Sequence, residues 1–298
     1  MKLLKGLTDI KSMINYADTS MEELSEEKLH SLQLILTDML MDILDVCKTN
    51  GICVFLMGGS ALGAVRHKGF IPWDDDIDIG MTRESYDRFI PVFEKHLSDR
   101  YILNAPNYSS NALSRFPKIL KKDSYMDTGL TDDPNLCKIF IDIFIADQIP
   151  EDPFHKRLKG LRCNCLEFIG GQVALLEQLN DDLKKRYLSG GRLSYMIRSA
   201  VGKFFSFRNS SGWYDRIDKA VQYHKDSSLI GLPTGSKHYF GEIFPKETFL
   251  PVTFGEFEGH TVPLVHDPDA YLKNLYGDYM QIPPIEKRQK HFVRELDI

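Results

Sequence analysis

The chain has 298 residues, of which 43% are hydrophobic, 27% charged and 11% aromatic, and its net charge is −5. That composition belongs to a globular protein of one large or two modest domains and excludes a largely disordered chain. No apolar run approaches the ~20 residues of a membrane-spanning helix, and the acidic balance argues against a duplex nucleic-acid binder, which needs a dense basic face.

The first residues, Met1 to Asp9, are interrupted by charge too early for a secretory signal. Five cysteines (Cys47, Cys53, Cys137, Cys163 and Cys165) are an odd number that suits a reducing compartment, so a cytoplasmic location is expected. Cys163 and Cys165 with His155 upstream match no common zinc spacing and read better as thiols on a helix.

In chain order, residues 20–50 form an amphipathic helix. Ser20 and Glu23 make a capping box, Leu32, Ile35, Met39, Ile43 and Cys47 recur at helical spacing, and Gly51 ends it. Residues 52–57 are a buried strand, 58–60 a Gly-Gly-Ser turn, 61–66 a short helix and 76–79 a strand of alternating acid and apolar residues. Thr82 caps the next helix, which Pro91 should kink or stop. Strands follow at 101–103, 116–120 and 138–145. Residues 152–224 are mainly helical with breaks at Gly170-Gly171, Gly190-Gly191 and Ser210 to Gly212. Strands at 239–244 and 249–254 and a helix at 267–276 complete the chain. The expected architecture is α/β (α+β): residues 1–150 as a catalytic core with its N-terminal helix, 151–225 as a helical insertion and 226–298 as a mixed part completing the catalytic domain.

Chemistry concentrates between Met57 and Ile79. Gly58, Gly59 and Ser60, between a strand and a helix, leave backbone N–H groups open to a phosphate, although such a turn alone is a weak signal. Asp74, Asp76 and Asp78 alternate, so on a strand all three point to one face while Asp75 points away. Like charges so placed call for a hard divalent cation, most simply Mg²⁺. Asp142 is a lone carboxylate in an apolar strand and needs a partner, either a basic residue or a metal shared with Asp76 and Asp78. Asp147, at the strand end, reads as a further acid or as a cap. Arg66, His67 and Lys68 lie between the turn and the carboxylates, where cations can neutralise a diphosphate, and Lys118, Lys121 and Lys122 are a weaker basic group.

The string from Gly58 to Gly80 (GGSALGAVRHKGFIPWDDDIDIG) closely resembles the LicD family, relatives of the fukutin-type proteins within the nucleotidyltransferase superfamily. Phe140 to Asp147 resembles the family's second acidic strand, departing from it at Ile145-Ala146, where a proline is commoner. Tyr276 to Pro284, with Lys287, Arg288 and His291, resembles its C-terminal motif. The resemblance implies a nucleotidyltransferase-like mixed sheet flanked by helices, carrying out Mg²⁺- or Mn²⁺-dependent transfer of phosphocholine from CDP-choline to a hydroxyl of a cell-surface glycan precursor (lipopolysaccharide, teichoic acid or capsule). CMP would leave. Asp76, Asp78 and Asp142 are the expected metal-binding and catalytic residues, with Asp142, which arrives from a separate strand and can face the acceptor, expected as proton acceptor ahead of Asp74. Gly58, Gly59, Ser60, Arg66, His67, Lys68, Asp74, Lys287, Arg288 and His291 are the expected substrate-binding residues. Two alternatives stay open: a CDP-ribitol or CDP-glycerol donor, and nucleotidyl transfer from an NTP to a small molecule. A choline payload needs aromatic faces, for which Trp213-Tyr214, Tyr239-Phe240 and Tyr276 with Tyr279 are candidates.

The segment 193–208 remains. Leu193, Met196, Ile197, Ala200, Val201, Phe204 and Phe205 make an apolar stripe, and Arg192, Arg198, Lys203 and Arg208 occur with no acid among them. Either the stripe is buried in the helical insertion, as most are, or the helix lies on an anionic membrane at its inner face, as a lipid-linked acceptor would suit.

Overall fold

The computed structural model describes residues 22–129, 131, 133–178, 192–285, 288 and 292–298. Its centre is a seven-stranded mixed sheet. Five strands run in the order β2 (Val54–Leu56), β3 (Asp78–Thr82), β7 (Phe140–Gln148), β5 (Lys118–Lys121), β4 (Tyr101–Asn104); β8 (Leu229–Gly231) and β9 (Ile243–Pro245) extend from the far end of β7. β3 and β7 are parallel and every other pair is antiparallel. The protein is therefore a mixed α/β molecule, as its sequence implied.

The first long helix, α1 (Glu26–Thr49), buries Leu32, Leu36, Met39, Leu40 and Ile43 in the main core. Its N-cap is Ser25, whose hydroxyl accepts from the Lys28 N–H; Ser20 lies outside the described residues. α2 (Gly58–Arg66) follows β2 directly, and α3 (Arg83–His96) starts at the predicted Thr82 cap. Pro91 does not end α3, because Tyr86, Phe89 and Phe93 hold the helix to the core on both sides of it.

A layer of three helices follows: α4 (Pro153–Glu177), α5 (Arg192–Phe205) and α6 (Ser210–Val221). Gly170-Gly171 does not break α4. A Cβ at Gly170 would touch Trp213 and Ile217 at 3.3 Å, so the glycine lets α6 approach closely. The Gly190-Gly191 break lies outside the described residues. The stripe on α5 is divided between core and surface. Val201 and Phe205 pack on Ile169, Val173 and Trp213, whereas Leu193, Met196, Ile197 and Phe204 face outward and Arg198 is buried. Arg83 clasps this layer to the sheet, binding both oxygens of buried Asp147 at 2.9 Å and Asp218 of α6 at 2.9 Å.

Where strands were expected at 239–244 and 249–254, the chain forms a short helix α7 (His238–Gly241), then β9, then the hairpin β10 (Thr253–Phe257) and β11 (His260–Leu264). His238 sits at φ +57°, and this left-handed residue interrupts the extended backbone. α8 (Pro268–Tyr276) packs on α2. Two short antiparallel pairs, β1 (Glu22–Glu23) with β12 (Phe292–Val293) and β6 (Tyr125–Asp127) with β13 (Glu295–Asp297), tie the chain end back to the core.

Candidate active site

The site forms where β2 turns into α2. Gly58 has φ +50°, and a Cβ there would fall 2.5 Å from Asp78 Oδ2; one at Gly59 would fall 2.7 Å from Asp74 Oδ2. The two glycines make room for carboxylates. The Gly58 N–H donates to the Tyr271 hydroxyl at 3.1 Å, which leaves Gly59 and the residues after it as the donors that could face a phosphate. Ser60, 3% exposed, accepts from the Asp78 N–H at 2.9 Å and fixes the start of β3 against α2.

β3 begins only at Asp78, so Asp74, Asp75 and Asp76 lie in a loop and do not alternate as strand residues would. A turn closed by the Asp74 N–H on the Ile71 carbonyl (2.8 Å) bends this loop, and Gln33 of α1 donates to the Asp74 carbonyl at 2.9 Å. One oxygen from each of Asp74, Asp75 and Asp76 falls within 4.8 Å of the others. Asp75 thus joins the group from which alternation had excluded it. An all-oxygen set of half-buried carboxylates fits a hard cation such as Mg²⁺ or Mn²⁺.

Asp142 stands directly beside Asp78 in the parallel β3–β7 register, and Lys118 stands beside Asp142 in the antiparallel β5–β7 register. Strand partners in register share a face, so Asp78, Asp142 and Lys118 form a row across three strands. Lys118 and Asp142 are each 1% exposed and joined by an ion pair, and the ammonium lies 3.7 Å from the centre of the Phe140 ring. The sequence offered either a basic residue or a metal as partner for Asp142. The structure supplies the basic residue and also sets the carboxylate next to Asp78.

The chain's C-terminal part covers this hollow. Arg66 donates to the carbonyls of Tyr279 (2.7 Å) and Gln281 (3.3 Å), and to His67 Nε2 at 2.9 Å. Burial, then the neighbouring Arg66 charge, holds the His67 imidazole below its ordinary value. Lys68 turns away toward Glu256 of β10, 3.3 Å distant. Arg288 stacks over Trp73 at 4.1 Å, next to the acidic loop. Lys287 and His291 lie outside the described residues. Desolvation, then the charges of Asp78, Asp74 and Asp76, push the Tyr276 phenol upward, although 47% of the residue is exposed. Of the aromatic candidates, Trp213 is buried beneath α5 and Tyr239 is buried against α4, whereas Tyr276 is beside the acids. Gln33, Trp73 and Tyr271 were not singled out from the sequence. Gln33 and Tyr271 come from α1 and α8, far away in the chain, and no local spacing marks them.

A glycine-started helix packs here against a strand that opens on Asp78, with Asp142 beside it on the next parallel strand. Residues 51–144 match the family described as "LicD/FKTN/FKRP, nucleotidyltransferase domain". The chain is 29% identical over 272 residues to the lipopolysaccharide cholinephosphotransferase LicD of Haemophilus influenzae, covering 90% of this chain and 97% of that protein. Shorter matches join it to uncharacterized proteins of Rickettsia prowazekii (33% identity over 84 residues, 27% of this chain and 32% of the relative) and Rickettsia typhi (36% over 75 residues, 24% and 23%). A LicD-type domain match over residues 51–144 and similarity to a LicD protein along nine-tenths of the chain thus point to the same family.

Proposed function

We propose that the protein is a LicD-type phosphotransferase that moves phosphocholine from CDP-choline to a hydroxyl of a cell-surface glycan precursor. The observation that carries this reading is the set of carboxylates at the Gly-Gly-Ser helix start: Asp78 against Gly58, Asp74 against Gly59 and grouped with Asp75 and Asp76, and Asp142 beside Asp78 in register. It is supported by similarity to a lipopolysaccharide cholinephosphotransferase along nine-tenths of the chain.

Asp76 and Asp78, with Asp142 at Asp78's side, would hold Mg²⁺ or Mn²⁺. When bound, the ion supplies charge neutralisation on the donor diphosphate. The protein's own groups do the rest. The Gly59 N–H would orient a donor phosphate at the start of α2, while the buried Ser60 hydroxyl, expected to bind the phosphate, instead holds the Asp78 backbone in place. Arg66 adds positive charge there while pinning the C-terminal segment over the site. Of the two candidate proton acceptors Asp74 suits better. It is half-buried beside the donor position, whereas Asp142, first expected in this role, is enclosed and its oxygen is engaged by the Lys118 ammonium. Tyr276 offers an aromatic face beside acids, the pairing that a quaternary ammonium needs.

The test is release of CMP from CDP-choline by the purified protein with Mg²⁺ and a glycan precursor as acceptor, with Asp76→Asn and Asp78→Asn as controls. Both variants should keep the wild-type melting temperature and lose turnover. A folded Asp78→Asn protein with near-wild-type activity would refute the assignment.

A further inference from the structure

α5 displays an apolar face to solvent. Leu193 is 71% exposed, Met196 56%, Ile197 54% and Phe204 74%, at positions that follow one side of the helix, and Phe207 just beyond its end is 73% exposed. Five large apolar side chains on one helix and its exit are more than the scattered exposure common on soluble proteins. α4, which packs against α5, carries a second such row: Phe154 is 71% exposed, Leu158 58% and Leu161 55%, spaced four and three residues apart.

Within the two segments the charge has one sign, with the exposed acids Glu151 and Asp152 lying just before α4. Residues 192–208 contain no Asp or Glu, and neither do residues 153–166, in a chain of net charge −5. Arg157, Arg162 and Lys203 are exposed, and none is ion-paired among the described residues. Phenylalanine and leucine on the apolar side with only cations beside them is the composition of a helix that lies in the headgroup layer of an anionic bilayer. A second copy of the chain fits less well, since a two-fold contact through this face would oppose its own cations. Among the described residues no helix is long and apolar enough to cross a membrane.

We propose that the exposed faces of α5 and the first half of α4 form a docking surface for an anionic phospholipid bilayer. The surface is separate from the carboxylate site, and the inference does not depend on the donor or the reaction.

Flotation of the full chain with equimolar phosphatidylglycerol–phosphatidylcholine vesicles, compared with phosphatidylcholine alone, tests it. The protein should bind the anionic vesicles, bind neutral ones roughly a hundredfold more weakly, as three surface cations imply, and dissociate in high salt. Phe204→Ser with Phe207→Ser should abolish flotation at an unchanged melting temperature. Arg157→Glu with Arg162→Glu, both on the surface, should remove the preference for anionic lipid. Absence of binding to anionic vesicles, or equal binding to neutral ones, would overturn the proposal. So would self-association in solution, abolished by the serine pair, in a protein that does not float.

Discussion

Lys118→Met tests the row of charges that the sheet builds at the site. Methionine keeps the length of the lysine stem but removes the ammonium that meets Asp142. Both partners are 1% exposed, so solvent screens little of the loss. Removing one member of a buried pair costs about 3–5 kcal/mol, because the remaining charge keeps its desolvation penalty and loses its counter-ion. Loss of the contact with the Phe140 ring, 3.7 Å from the ammonium, adds to this. In urea unfolding, the midpoint should fall by about 1 M or more for a slope of about 3 kcal/mol/M. Asp142→Asn alone strands the ammonium and should cost a similar amount. The double variant removes both charges, so its cost should be well below the sum of the two, with a coupling of at least about 2 kcal/mol. Turnover should separate from stability: the double variant should fold and stay inactive, since Asp142 also neighbours Asp78. A single-variant cost under about 1 kcal/mol, or strict additivity in the cycle, would refute the reasoning.

Gly58→Ala should cost roughly 1–2 kcal/mol for a side chain at left-handed φ, and by displacing the Asp78 carboxylate should lower turnover on the order of a hundredfold; unchanged turnover would contradict this use of the glycine. Burial pushes the Cys47 thiol up to about 12 and Cys163 to about 11, so mass spectrometry after brief alkylation of the native protein should find exposed Cys165 modified and those two intact. Burial also raises the Glu242 carboxyl above 4.5, so the native state holds that proton where the unfolded chain has released it. This contribution makes stability fall as pH rises from about 4.5 through the raised value. Melting curves across that range should show a shallower fall for Glu242→Gln, and an unchanged profile would exclude the linkage.

Local signals sufficed where chemistry was contiguous. The Gly-Gly-Ser start, the run from Asp74 to Asp78 and the lone Asp142 were all visible, because a glycine pair after an apolar strand and an acid within another leave few ways to fold. What was hidden depends on register. Nothing in the spacing of Lys118 and Asp142 says that β5 pairs with β7 so that the two side chains meet. The role of Gly58 and Gly59 was also out of reach, since the groups filling their missing side-chain space are Asp78 and Asp74. Loop geometry displaced the alternation predicted for Asp74 to Asp76, because a turn after Pro72 delays β3 until Asp78. Tertiary packing overrode the breakers at Pro91 and Gly170, where Phe89 and Phe93, or Trp213 and Ile217, supply contacts that local propensity does not count.

The most direct test of the central claim is the phosphorus balance of the reaction, followed by ³¹P NMR with CDP-choline, Mg²⁺ and a lipopolysaccharide or teichoic-acid precursor. The account predicts one CMP for each new phosphodiester on the glycan, no signal from pyrophosphate, and no reaction with Asp78→Asn. No CMP or phosphodiester from CDP-choline, together with pyrophosphate release and nucleoside monophosphate on the acceptor when CTP replaces it, would contradict it.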